Sequence, residues 1–281
     1  MGFKYILYIP IALSCKQVGI GGIRYNGKNA SAERDVFLKI TTIGIWGGYP
    51  NKNEATSSFL LEQDGFRCLV DCGSGVLAAV QNYTELKDLD AAVISHYHPD
   101  HVADIGVLQH AAMVGMQLKE WRTPFPIYAH DRDKALFDSL SYKGVTQGVA
   151  LQAEQTIEIG PWQVSFCETI HPVYCLALKF TAEGKSVVFT ADTEWKEELV
   201  AFSESVDLLV SEANLYEKYV GIIKGHLSGK QAGELAERAG AGELWLTHLP
   251  QYGDRNEILE AARVSFSGGV QFAAIGESKN L

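Results

Sequence analysis

Short apolar runs alternate with clusters of glycine, proline, asparagine and aspartate along the chain, and the first convincing run opens at Leu38. Residues 38–44 read as a buried strand that ends in a loop with Gly47, Gly48 and Pro50. Residues 58–62 and 66–71 flank Gln63-Asp64-Gly65, and Asp-Gly between two apolar runs predicts a hairpin. The chain turns over 71–75, and 76–83 follows as a short helix. Residues 91–95 form the next strand, and 104–118 carry apolar positions at helical spacing, weakened by Gly106 and Gly115. A strand over 126–129, a helix over 132–140 and a loop over 142–149 close the first half. The second half predicts strands at 156–159, 162–168, 175–181 and 186–190, a helix at 195–203 and a strand at 207–211. A helix at 228–239 opens with Ser228 and Gln231 in the Ser-x-x-Gln capping pattern, followed by a strand at 243–247, a helix at 257–264 and a strand at 271–274. Hairpins interspersed with helices predict two packed sheets covered outside by helices, a four-layer α/β sandwich.

No linker or repeat divides residues 38–281, which are expected to form one domain, with residues 1–37 as an N-terminal extension. Residues 3–15 are apolar apart from Lys4 and Ser14 and too short to span a bilayer. They end in a lipoprotein-like Ala12-Leu13-Ser14-Cys15, against which Pro10 and the single basic residue count. With 47% hydrophobic residues, the 281-residue chain has ample material for a core. Its net charge of −10 argues against a basic face that grips long nucleic acid, so an anionic substrate must be attracted locally. Five cysteines, odd in number and without a Cys-x-x-Cys pair, read as reduced core thiols of a cytoplasmic protein with no membrane attachment.

Directly after the apolar run 91–94 comes Ser95-His96-Tyr97-His98-Pro99-Asp100-His101. If the backbone is still extended there, His96 and His98 face one side and both imidazoles reach one cation. Asp100 and His101 are adjacent and diverge, which begins the shell of a second cation. For a lone His-x-His, a polar turn rich in histidine would be the better reading. Three later residues also close predicted strands, however: His171, Asp192 and His248. If those strand ends meet, His96, His98 and His171 hold one cation, Asp100, His101 and His248 a second, and Asp192 bridges both. Each later residue alone is better explained as a satisfied strand-end polar group, and their joint occurrence reverses the odds. Nitrogen and oxygen donors without thiolate suit two zinc ions, with manganese or iron as substitutes.

The pattern His-x-His-x-Asp-His, a single later histidine, an aspartate in Thr190-Ala191-Asp192-Thr193 and a histidine after an apolar strand resembles the metallo-β-lactamase superfamily, over nearly the whole chain from Leu38. Asp71-Cys72-Gly73-Ser74-Gly75, Gly225-His226-Leu227-Ser228 and Leu246-Thr247-His248-Leu249 are similar to the ribonuclease Z branch and its small bacterial relatives. The resemblance implies an αββα sandwich, a dizinc phosphodiesterase, and a structural Asp71 that holds the metal loop through hydrogen bonds. It also implies His226 as proton donor, with Glu212 of Val210-Ser211-Glu212-Ala213-Asn214 as its orienting partner; an exposed turn carboxylate is the competing reading of Glu212. A departing alkoxide needs an acid, which a histidine not used as a ligand can supply. Asp100 is expected to orient the nucleophile as well as to bind metal.

Ribonuclease Z proteins that process tRNA carry a long arm between the third histidine and the bridging aspartate. Here that interval is 192 − 171 = 21 residues, enough for a strand hairpin only. The expected substrate is therefore a phosphodiester at an RNA 3′ end or in a small cyclic phosphate, and a homodimer is compatible with either. Hydrolysis of a lactam, lactone or thioester is the alternative chemistry, against which the Gly225–Ser228 element stands. His110 and His130 read as ordinary helix and loop residues, Tyr97 and Tyr174 as packed aromatics, Cys175 as core, and the loop of Trp46 as one that could meet substrate.

Overall fold

The structure, a computed structural model, describes residues 38–122 and 124–281, so the expectations for residues 1–37, Cys15 included, lie outside the described residues. The first sheet contains β1 (Lys39–Gly44), β2 (Ser58–Gln63), β3 (Phe66–Val70), β4 (Ala91–Val93), β5 (Phe125–His130) and β6 (Thr146–Leu151). The second contains β7 (Thr156–Ile159), β8 (Trp162–Glu168), β9 (Leu176–Ala182), β10 (Lys185–Phe189), β11 (Leu208–Glu212), β12 (Glu243–Thr247) and β13 (Gly269–Phe272). A last strand, β14 (Ser278–Asn280), returns to the first sheet and pairs antiparallel with β1. The strand orders are β14-β1-β2-β3-β4-β5-β6 and β13-β12-β11-β10-β9-β8-β7. Each sheet is antiparallel over its hairpins and parallel where helical crossovers return the chain.

Side-chain alternation explains the layers. In β2 and β3, Phe59, Leu61, Cys68 and Val70 face the second sheet, while Leu60 and Leu69 point the other way into a core shared with α1 (Val76–Val80) and α3 (Ile105–Leu118). Both faces are buried, so these strands read as nearly continuous apolar runs. The sheets meet through rings such as Phe59 and Phe189, 5.1 Å apart. The second sheet's outer face packs against α5 (Glu197–Phe202), α6 (Gly229–Ala239) and α7 (Arg255–Ser265). The capping box is present at α6: Gln231 N donates to Ser228 Oγ at 3.2 Å and Ser228 N to Gln231 Oε1 at 3.1 Å. Asp64 and Gly65 take φ of 52° and 81°, as the Asp-Gly hairpin requires.

One expectation about elements needs correction, and two elements had no counterpart in the sequence reading. Residues 142–149 are not all loop, because the chain turns at Gly144 and β6 begins at Thr146, pairing parallel with β5. Gly148 weakened the strand pattern, but a Cβ there would stand 3.3 Å from Leu140 Cβ, so the glycine lets the strand lie against that residue. β14 is polar and short, and only its partner makes it a strand. Pro99–Val102 is a one-turn helix, α2, within the histidine cluster, with Pro99 in its first turn, where proline is tolerated. Elsewhere the ends shift by a few residues; α4 (Lys134–Ser139) and α5 both start two residues late. Among the described residues, no helix is long and apolar enough to cross a membrane, and the four described cysteines are free thiols.

Candidate metal centre

Four strand ends on one edge of the sandwich supply the donors. β4 releases the chain into His96 and His98, and α2 then carries Asp100 and His101 in its single turn. β8 leads to His171, β10 to Asp192 and β12 to His248. His98 is the extended residue before α2, with φ −65° and ψ 149°. His248 needs φ of 53°, a left-handed backbone uncommon outside glycine, and Asn214 braces it by donating from Nδ2 to its carbonyl at 2.9 Å.

The seven expected ligands converge. His96, His98, His171 and Asp192 form one group of donor atoms, and Asp100, His101 and His248 form another. His98 Nδ1 and His171 Nε2 stand 3.0 Å apart. Asp192 Oδ2 lies 3.8 Å from His96 Nε2, 3.9 Å from His171 Nε2 and 3.3 Å from His248 Nε2, while its Oδ1 lies 3.5 Å from His101 Nε2. The carboxylate thus reaches both groups. Asp100 Oδ2 stands 3.1 Å from His248 Nε2 and 3.5 Å from His101 Nε2. Two donors at ~2.0–2.1 Å from one tetrahedral cation stand roughly 3.4 Å apart, and these separations match.

Hydrogen bonds select the nitrogen each imidazole presents. Asp71, held at φ 58°, accepts from Ser95 N at 2.7 Å and Ser95 Oγ at 2.9 Å, and its Oδ2 accepts from His101 Nδ1 at 2.7 Å. That proton placement leaves His101 Nε2 facing the centre, an arrangement typical of histidine ligands. His171 Nδ1 donates to Gly225 O at 2.9 Å, with the same result. His96 Nε2 is fully buried and has no partner among the described residues, which is costly unless a cation occupies it. Burial, reinforced by neighbouring imidazoles, holds His96 well below the ordinary histidine range and so in the lone-pair form. Burial also lowers His98 and His171. For Asp100, burial would raise the carboxyl, but the neighbouring His101 and His248 imidazoles hold it below the usual carboxylate range. The donor set contains no lysine or arginine to neutralise Asp100 and Asp192, so the residues present fit a pair of cations.

His226 and Glu212 lie beside this set. Glu212 is 1% exposed, which removes the exposed-turn reading, and it accepts from Thr193 N at 2.8 Å and Asn214 N at 3.2 Å. His226 Nδ1 meets Glu212 Oε1 at 3.0 Å and Asp192 Oδ2 at 3.9 Å, and its side chain keeps 19% exposure. Burial would lower this imidazole, but the Glu212 charge and hydrogen bond push it up to about 9. Behind the donors, a cavity of about 20 Å³ touches Asp71, His101, Asp192 and Glu212 and is large enough for one water.

Some contributors were not singled out from sequence. Gly48 N donates to Asp100 Oδ2 at 2.6 Å, so the loop of Trp46 touches the centre through its backbone, while the indole itself is buried beneath Arg255. A Cβ on Gly47 would stand 2.7 Å from His248, and Gly48 takes a φ of 72°, which together explain the Gly47-Gly48 pair. Asn214 sits two residues after Glu212, and only tertiary contact exposes its role. His110 is an exposed residue of α3 as expected, but His130 is the buried last residue of β5 rather than a loop residue, packed between Tyr97 and Tyr174 at 4.6 and 4.8 Å. Cys175 is buried, with Sγ 3.5 Å from His96 Nδ1, the nitrogen facing away from the other donors.

Two facing mixed sheets with outer helices, delivering five imidazoles and two carboxylates to one edge, define an αββα protein with a histidine–aspartate metal centre. The chain belongs to the metallo-β-lactamase superfamily: residues 66–249 match the family model described as a beta-lactamase superfamily domain. It is 44% identical over 239 residues to a Bacillus subtilis protein named Probable metallo-hydrolase YhfI, covering 85% of this chain and 98% of that one. The crystal structure of YhfI superposes with a TM-score of 0.85, covering 87% of this chain and 100% of the other. A ribonuclease Z of Halorubrum lacusprofundi is 26% identical, with 82% and 93% covered. The structure of a diphosphatase from the PhnP family shares the fold at a TM-score of 0.67 and 17% identity, with 87% and 97% covered.

Proposed function

We propose that the protein is a dizinc hydrolase of phosphodiesters that acts on small substrates, a small cyclic phosphate or an accessible RNA 3′ end, in preference to whole tRNA. The observation that carries this reading is His226, which is held by Glu212 at 3.0 Å, committed through Nδ1 to that carboxylate and partly open to solvent beside the donor set. With Nδ1 so engaged, His226 is a poor ligand, and Nε2 is left to protonate a departing alkoxide. When bound, a pair of divalent cations lowers the pKa of bound water towards ~7 and compensates charge on a phosphoryl group. Asp100 Oδ2 is engaged by Gly48 N and faces His248 and His101, which leaves Oδ1 as the oxygen that would orient the attacking water. Glu212 is a positioning residue: fixed by two backbone amides, it sets the angle and proton location of the His226 ring. The similarity to a ribonuclease Z supports phosphoryl chemistry. The interval between His171 and Asp192, occupied by the β9–β10 hairpin, supports small substrates over tRNA.

Turnover of bis(p-nitrophenyl) phosphate, 2′,3′-cyclic nucleotides, precursor tRNA and a β-lactam by zinc-loaded protein tests the reading. Activity on the first two and none on the lactam is expected. His226→Ala is expected to lower kcat by about 10²–10⁴ with zinc content unchanged. Unaltered turnover in that variant, or lactam hydrolysis above phosphodiester hydrolysis, would count against the assignment.

A further inference from the structure

The loops around the metal centre carry an arc of exposed apolar side chains. Ile170 and Val173 flank His171 at 45% and 39% exposure, Ile222 and Ile223 precede His226 at 74% and 40%, and Tyr49 and Tyr252 stand at 62% and 47% near Gly48 and His248. Contacts join these loops into one border. His171 bonds to Gly225 O, and Ile222 N and Ile223 N both donate to Tyr219 O at 3.0 Å. The Tyr219 ring lies 6.4 Å from that of Tyr252, and the Gln251 side-chain amide donates to the carbonyls of both Gly47 and Tyr49. Apolar side chains scattered singly over a surface need no explanation, whereas a connected set marks a binding surface.

Charge decides what that surface suits. A nucleic-acid strand is held by a track of cations along its phosphates. On these loops Lys218 lies over the rings of Tyr216 and Tyr219 at 5.7 and 5.1 Å, and Lys224 pairs with Glu194 at 3.5 Å. Lys52 is left as the one lysine of the border without a carboxylate or ring partner among the described residues, in a chain of net charge −10. Arg132 over the Tyr174 ring at 5.3 Å and Arg255 over the Trp46 ring at 4.7 Å are likewise held one by one at separate places in the chain, and cations dispersed in this way do not make a track. Resting on the phosphodiesterase reading, we propose that the arc selects phosphodiesters whose non-leaving substituent is apolar or aromatic, by removing that substituent from water while the phosphate sits at the donors. A polynucleotide strand finds no such grip.

The test compares methyl p-nitrophenyl phosphate with phenyl p-nitrophenyl phosphate, which share a leaving group, on the zinc-loaded full chain. Calorimetric binding of methylphosphonate and phenylphosphonate supplies a readout that needs no turnover. The phenyl compound is expected to be favoured at least about tenfold in kcat/KM and in affinity, as apolar contacts of this size usually allow. Ile222→Ser and Tyr252→Ser, both at exposed positions where the fold should tolerate change, are expected to reduce both ratios several-fold. Retained phosphonate selectivity without turnover of either diester would remove the phosphodiesterase reading and leave the apolar selection standing. Turnover without preference, ratios indifferent to both substitutions, or binding of neither phosphonate would overturn the selection. So would tight, steeply salt-dependent binding of a short single-stranded RNA. A dimer in sedimentation that Ile222→Ser dissolves, with the ratios unchanged, would assign the arc to contact between copies instead and overturn the proposal as well.

Discussion

Asp71 shows how much one side chain organises. It is 6% exposed and receives the Ser95 amide, the Ser95 hydroxyl and His101 Nδ1. Asp71→Ala leaves those buried donors unsatisfied, at a cost of about 1–3 kcal/mol each, and frees the His101 ring to rotate. Zinc affinity is expected to fall about 10–100-fold, the usual penalty for losing such a partner, as competition with a chelating dye would measure. Asp192→Ala has a different signature, because its carboxylate reaches both donor groups: elemental analysis should find less than one cation per chain. Two retained cations would remove its bridging role. At this scale the sequence was informative about which residue types assemble, since histidines and aspartates at strand ends are few and their spacing is unusual. It was silent about Asn214 and the Gly48 amide, which act through backbone and amide groups that any sequence can offer.

The elements work as carriers, and two glycines separate carrying from packing. A Cβ on Gly73 would fall 1.7 Å from Asp100 O and 2.3 Å from Thr56 Oγ1, so α2 with Asp100 and His101 must move. A Cβ on Gly233 would fall 2.5 Å from Ala262 O, where α6 crosses α7 away from the donors. Gly73→Ala is expected to lower both melting temperature and zinc content. Gly233→Ala should cost about 1–3 kcal/mol of stability, the usual range for overpacking, with zinc content unchanged; equal zinc loss in both would show that the loop around Gly73 is not specifically coupled to the site. Long apolar strands, the Asp-Gly hairpin and the α6 cap were legible because their signals are local. α2, β6 and β14 were not. Their sequences are polar or interrupted by glycine and proline, and the partner strand or the centre itself decides their conformation.

For the whole molecule, the cations would tie the two sheets together, since His96, His98, Asp100 and His101 leave the first while His171, Asp192 and His248 leave the second. Ligand that binds only the folded chain stabilises it by about 2.7 kcal/mol at one hundred times its Kd. Exhaustive chelation is therefore expected to lower the melting temperature by several degrees, with recovery on addition of zinc, in a calorimetric scan; an identical transition in both states would mean that the chain does not fold around metal. The sequence by itself determined the two-sheet architecture with its helical cover, because alternation and helical spacing are consequences of burial that each segment expresses alone. It also determined the chemical type of the donor set, because nitrogen and oxygen ligands are written in residue identity. Tertiary structure alone decided that seven side chains from four strand ends share one rim, that Glu212 is buried against His226, and that apolar side chains from separate loops join in one border. Those outcomes depend on distances between segments far apart in the chain, and no local pattern carries that information.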